Sequence, residues 1–192
     1  LWDRSANLKG KNVGIIGTGA SAAQVITSIC DDVDSLTVFQ RTATWALPRD
    51  DEPTPPEIVQ AFKDGGYSEK LRYVDWKGEF PPDPNAPFTF DMLHNEEQNS
   101  AICKGIAERI KKEVSDPLLA ETLTPDYPFF CKRVLFIDDY YTTFNKPNVH
   151  LVHEPGGVSA ITENGLETAS GGSYDFDVII YATGFDNGLI PF

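Results

Sequence analysis

The chain has 192 residues, 41% of them hydrophobic, and its 29 Asp and Glu outnumber 16 Lys and Arg for a net charge of −13. That length bounds it to one sizeable domain, or one domain with an insertion, and the apolar share is enough to bury a core. The acidic balance argues against nucleic acid and anionic membrane as partners; no apolar run is long enough to span a bilayer, and no signal peptide is expected at the start.

The first element is an apolar strand, Val13-Gly14-Ile15-Ile16, that runs into Gly17-Thr18-Gly19-Ala20-Ser21-Ala22. This is G-x-G-x-x-A in the context of a dinucleotide site. The first glycine permits a tight turn, the second lets the backbone approach a pyrophosphate, and the third position must be small for the next helix to pack on the strand. The helix that follows, about Ala20 to Cys30, places Ala22, Val25, Ile26 and Ile29 on one face. Its N-terminus presents free N–H groups and a positive dipole end to phosphates. An ordinary glycine turn between a strand and a helix is the competing reading. Leu36-Thr37-Val38-Phe39-Gln40 is the next strand, so residues 11–41 form a first βαβ half. An NAD site wants an acid at the tip of that strand, about 20 residues past the glycines, to hold the ribose 2′-OH. Gln40-Arg41-Thr42 stands there instead, with no carboxylate to repel a 2′-phosphate and a planar guanidinium to bind one. The cofactor expected is therefore NADP(H). Elsewhere on the surface Arg41 would read as a solvated arginine.

Residues 46–56 carry four prolines and three acids and read as a connector, not a strand. Thr54-Pro55-Pro56-Glu57 resembles a capping box with proline at the first helical position, opening a short helix over 57–63 that Gly65-Gly66 ends. Residues 78–90 are proline-rich and expected to be irregular. Ile102, Ile106, Ile110 and Val114 recur every four residues and predict the clearest helix of the chain. Asp116-Pro117 starts another over Leu118–Leu123. Past it, Val134–Ile137 is a short strand, Val149–Val152 follows the turn Asn145-Lys146-Pro147-Asn148, and Val158–Ile161 with Leu166–Thr168 flank Glu163-Asn164-Gly165 as a hairpin. Phe176–Ala182 is a buried strand that runs into Thr183-Gly184.

The fold class expected is α/β: a Rossmann-like domain with a parallel sheet, flanking helices and a small hairpin. Residues 1–49 are its first part, 50–126 a mainly helical insertion, and 127–192 the remainder. Cys30, Cys103 and Cys131 are odd in number and match no zinc or redox spacing, so reduced thiols in a cytoplasmic protein are expected. His94, His150 and His153 are scattered and read as structural or surface residues; no metal site is expected. The opening Leu1-Trp2-Asp3 and the single Met92 suggest a piece of a longer protein.

With these landmarks placed, the chain resembles the NADP domain of the Baeyer–Villiger monooxygenases, class B flavin-containing monooxygenases, together with its helical insertion. The segments that carry the resemblance are Gly17–Gln24, Thr37–Thr42, Thr124-Pro125-Asp126-Tyr127-Pro128 leading to Cys131-Lys132-Arg133, Asp139–Tyr141 through Phe144–Val149, and the closing Ile179–Phe185 with its Ala-Thr-Gly element. Trp2-Asp3 falls where the family fingerprint F-x-G-x-x-x-H-x-x-x-W ends. By position, the resemblance implies that Gly17, Thr18, Gly19, Ala20, Ser21, Ala22 and Gln24 meet the pyrophosphate region, and that Arg41 and Thr42 hold the 2′-phosphate with help from Lys132. It places Thr183 and Gly184 on the cofactor, and makes Arg133 the catalytic arginine that stabilises the peroxide formed on the flavin. The implied reaction inserts one oxygen atom of O2 into a ketone to give an ester or lactone, with NADPH reducing FAD. FAD would be bound mainly by a domain absent from this chain, because a second G-x-G-x-x-G is lacking, so the chain alone is not expected to catalyse oxygenation. Two departures stand out: Ala22 replaces the third glycine, and Phe130 takes a usually small position, which would narrow the pocket. An N- or S-oxygenating flavin monooxygenase and a non-catalytic NADP-binding module remain as alternatives. A short-chain dehydrogenase is disfavoured, because Tyr140 and Tyr141 are followed four residues on by Phe144 and Asn145, not Lys.

Overall fold

A computed structural model describes residues 6–49, 53–64 and 94–184. In chain order the elements are β1 (Asn12–Ile16), α1 (Ala20–Ile29), β2 (Ser35–Gln40), β3 (Ala46–Leu47), α2 (Pro56–Lys63), α3 (Glu96–Glu113), α4 (Pro117–Leu123), β4 (Leu135–Phe136), α5 (Tyr140–Thr143), β5 (Val149–His153), β6 (Val158–Ile161), β7 (Gly165–Thr168), β8 (Ser173–Asp175) and β9 (Val178–Tyr181). Internal contacts group Leu1–Arg49 with Glu96–Phe192 as one unit, and Asp50–Asn95 as another. Among the described residues no helix is long and apolar enough to cross a membrane.

The first unit is built on a four-stranded parallel sheet in the order β5-β2-β1-β9. β1 is central, and Val13 and Ile15 are fully buried, as expected of a parallel strand covered on both faces. In the register Ile16↔Phe39, Phe39 points to one face and meets the rings of Tyr174 and Phe176 edge-to-face, at 5.1 and 5.8 Å. Those rings belong to an antiparallel sheet, β6-β7-β8, and to the residues just after it. Gln40, one residue on, turns to the opposite face and donates to Thr122 O of α4 at 2.8 Å. α1 packs on β1 and on α5. Ile15, Ile26 and Leu36 are fully buried there, each worth about 1.5–3 kcal/mol of transfer free energy.

The α/β architecture agrees with the sequence, and four local expectations need correction. Residues 46–56 were expected to contain no strand, yet Ala46–Leu47 pairs in parallel with Leu135–Phe136; the partner lies too far along the chain for local pattern to show it. Thr54 does not cap α2: the helix starts at Pro56 with Pro55 as N-cap and no side-chain cap bond. The 158–168 hairpin gains a third strand, β8, whose Ser-Tyr-Asp sequence carries no apolar run and which is held by Tyr174 on Phe39. The closing strand is shorter than expected and half-buried, because β9 is the sheet edge and Tyr181 is 62% exposed. Gly65-Gly66, the proline-rich 78–90, Trp2-Asp3 and Phe185 lie outside the described residues.

The helical periodicity holds. α3 buries Ile106 and Ile110, with Val114 just beyond its end. α4 is capped by Asp116, whose Oδ1 accepts from Leu118 N at 2.9 Å and Leu119 N at 3.4 Å.

Candidate functional site

β1 leaves the sheet at Gly17, whose φ of +115° suits only glycine. A Cβ there would stand 2.5 Å from Ala182 O, so the turn also needs the bare backbone to slip beside β9. Gly17 N donates to Phe39 O at 3.0 Å, which ties the turn to the end of β2. Gly19 is the N-cap of α1, with no side-chain cap and no acid in the first turn. A Cβ on Gly19 would meet nothing within 4 Å. The first turn of α1 therefore faces open space with its amides unclaimed by any side chain, the arrangement that receives a phosphate. Ala22 is fully buried at the base of the helix, where a larger side chain would push α1 off the sheet.

The C-terminal ends of β1, β2 and β9 open into one cleft of ≈ 640 Å³. β2 follows β1 on one side and β9 flanks it on the other, so the cleft lies at the switch point where open α/β sheets bind ligands. Of the residues singled out from sequence, Gly17, Thr18, Gly19, Arg41, Thr42, Lys132, Thr183 and Gly184 line it together. Ala20, Ser21 and Gln24 sit exposed on α1 outside the lining, with Ala22 buried beneath. Arg133 is exposed, next to Lys132 and also outside the lining. Phe130, expected to narrow a pocket, is 49% exposed and does not line this cleft.

The phosphate-binding candidates are held by a dense set of bonds behind them. Thr18 Oγ1 donates to Thr42 O at 3.0 Å, joining the glycine turn to the tip of β2. Tyr127 and Tyr141 donate their hydroxyls to Ala43 O and Thr44 O, at 3.0 and 2.9 Å. The Tyr141 oxygen accepts from Ala46 N at 3.0 Å, and Arg109 Nη2 donates to Ala46 O at 3.1 Å. Trp45 Nε1 closes the set by donating to Tyr127 O at 3.0 Å. Burial pushes both phenols up from their ordinary value, so they remain donors across the physiological range. Lys132 Nζ lies 4.7 Å from the centroid of the Tyr127 ring, a cation–π contact, and Lys132 lines the same cleft as Arg41.

Several lining residues carried no sequence signal as site residues, and one of them is charged. Glu154, at the end of β5, is 7% exposed and lines the cleft beside the tip of β2, with its N–H donating to Gln40 O at 2.8 Å. The tip of β2 is free of acids as expected, but the neighbouring strand delivers this one. Ser170 donates to Oε2 and Gly156 N to Oε1, the latter at 3.3 Å. The Ser170 hydroxyl is the main cause of a carboxyl held below its ordinary range, so Glu154 is ionised. Pro155-Gly156-Gly157 reads locally as a plain turn, and only the β2–β5 pairing shows that it borders the cleft.

No family model matches the chain. It is 34% identical to the 2-oxo-Δ3-4,5,5-trimethylcyclopentenylacetyl-CoA monooxygenase of Pseudomonas putida, over 95% of this chain and 39% of that protein. It is 35% identical to a Baeyer–Villiger monooxygenase of Pseudomonas aeruginosa, over 99% of this chain and 35% of the relative. The crystal structure of OTEMO in complex with FAD and NADP superposes with a TM-score of 0.79 at 33% identity, covering 95% of this chain and 39% of that one. The chain thus spans a little over a third of the length of the curated relatives it matches. Over nearly its whole length it is a homologue of the Baeyer–Villiger monooxygenases.

Proposed function

We propose that the cleft binds NADP(H), and that the chain is the NADP(H)-binding part of a flavin-dependent monooxygenase that inserts one oxygen atom of O2 into a ketone to give an ester or lactone. The observation that carries the reading is that Arg41, Thr42 and Lys132, from distant parts of the sequence, line one cleft that also holds the turn before α1. The pyrophosphate fits that turn, where Gly19 leaves room for it and the amides of α1 carry no other partner from a side-chain cap. The 2′-phosphate fits Arg41, with Thr42 as a hydroxyl donor and Lys132 as a point charge. Glu154 is restrained by Ser170 and Gly156. When bound, NADPH would supply hydride to a flavin; the chain's own part would be to grip its phosphates with Arg41, Thr42 and Lys132, with Thr183 and Gly184 also lining the cleft. Arg133, adjacent to Lys132, would present a cation toward the reacting centre, where it lowers the energy of an anion most in a dry site.

The sequence offers a single glycine-rich strand–helix turn, which one dinucleotide takes up, so FAD would be held mainly by residues outside this chain. The division expected from sequence stays with the proposal: 1–49 and 127–192 bind the nucleotide and 50–126 is inserted, the contacts drawing the boundary differently by grouping Glu96–Phe192 with Leu1–Arg49. All three cysteines are free thiols, which suits a cytoplasmic protein. Titration of NADPH and NADH into the purified chain tests the cofactor reading. Arg41→Ala should weaken NADPH roughly tenfold or more, as for a lost charge-assisted bond, and leave NADH nearly unchanged. Equal weakening of both would count against it.

A further inference from the structure

Lys132 reaches the cleft from a turn that backbone preference opposes. Phe130 holds φ +70°, in the left-handed region that a bulky side chain adopts only when its surroundings impose it. Cys131 N donates to Pro128 O at 3.1 Å and closes the turn around it. The constraint comes from α3. Asn99, 7% exposed, donates from Nδ2 to Phe129 O at 3.0 Å and accepts from Phe129 N at Oδ1, at 2.9 Å. One amide side chain thereby meets both backbone groups of one residue, as an adjacent strand would. Phe129 is itself 1% exposed and packs edge-to-face on Trp45 at 6.4 Å. The entry to the turn is therefore fixed from two sides, by α3 and by the segment that follows Arg41-Thr42. Its exit carries Lys132 over the Tyr127 ring and onto the cleft wall.

We propose that Asn99 is a positioning residue for Lys132: its two-bond clamp on Phe129 holds the turn that delivers the ammonium to the phosphate end of the cleft. The inference rests on the reading of that cleft as an NADP(H) site. The chemistry at this position is narrow. Leucine has the volume but would leave the Phe129 N–H and C=O buried and unpaired. Aspartate can accept from Phe129 N but sets oxygen against oxygen at Phe129 O. Asparagine supplies one donor and one acceptor at the spacing of a single residue's backbone.

The test uses the isotopically labelled chain and two readouts. In the wild type the Lys132 side-chain protons should be shifted upfield by the Tyr127 ring current. In Asn99→Ala and Asn99→Asp that shift should vanish while the amide resonances of β1 and α1 stay in place. NADPH should bind roughly tenfold more weakly to either variant with NADH little changed, because only NADPH meets Lys132. In a Lys132→Ala background, Asn99→Ala should then add no further loss. Where Asn99→Ala does not fold, the isosteric Asn99→Asp carries both readouts. A folded variant that keeps the Lys132 ring-current shift overturns the inference, as does equal weakening of both nucleotides or additivity with Lys132→Ala. A wild-type chain that binds no NADPH sinks the cofactor reading instead, and the ring-current shift then decides the positioning claim by itself.

Discussion

At the scale of single residues, the site rests on backbone conformations that side chains do not favour. Gly17 satisfies its turn without cost, since it has no Cβ to strike Ala182 O. Phe130 does not: it keeps a bulky side chain at φ +70°. A left-handed conformation costs a non-glycine residue on the order of 1–2 kcal/mol. Substitution separates this strain from packing, because glycine and alanine both remove the ring and differ only in the Cβ. Phe130→Gly should therefore be more stable than Phe130→Ala by about 1 kcal/mol, read from the midpoints of urea unfolding followed by tryptophan fluorescence. Equal midpoints would show that the turn relaxes out of the left-handed region once the ring is gone. The strain was illegible in the sequence, where Phe129-Phe130 reads as an apolar pair. It arises because Asn99, thirty positions upstream, dictates the backbone on one side of the turn.

At the scale of elements, the site is an agreement among strand ends. β1 ends at the glycine turn, β2 at Arg41-Thr42, β9 at Thr183-Gly184 and β5 at Glu154, and parallel pairing puts all four ends on the same side of the sheet. Glu154 also joins the end of β5 to the antiparallel sheet through Ser170, which in turn lies 3.1 Å from Thr168 Oγ1 on β7. Because its folded pKa is depressed below the ordinary value of 4.5, the ionised carboxylate contributes stability that is fully present above that value. This contribution is lost as pH falls through the folded pKa, where the carboxyl becomes protonated in both states. The stability gap between wild type and Glu154→Gln should therefore be widest near neutrality and shrink on acidification below pH 4.5. Thermal unfolding of the two proteins across that range gives the measurement. A gap that stays constant or grows toward acid would refute the ionised link.

At the scale of the whole molecule, the single glycine-rich turn of the sequence and the switch-point cleft among the described residues match the needs of one dinucleotide, while the homologues that the chain matches are more than twice its length. Purified chain supplied with FAD, NADPH, O2 and a cyclic ketone should accordingly form no ester or lactone above background by gas chromatography. Sustained product formation would overturn the assignment of flavin binding to residues outside the chain. Much of the fold was legible because its signals are local. Apolar runs marked β1, β2 and β5, a four-residue period marked α3, and Asp116-Pro117 marked the start of α4. The cofactor proposed rests on signals of the same kind: the glycines and Arg41-Thr42 sit at set distances along one βαβ unit. Tertiary structure alone decided the rest. Ala46–Leu47 became a strand through a partner about ninety residues away, and β8 formed through Tyr174 on Phe39. Glu154 entered the cleft because β5 pairs beside β2; Lys132, which the resemblance had named, lines it from the turn that Asn99 of α3 holds at Phe129. A residue's own neighbours in sequence set its local conformation and period; which distant groups share its wall depends on pairing and packing, which no local pattern encodes.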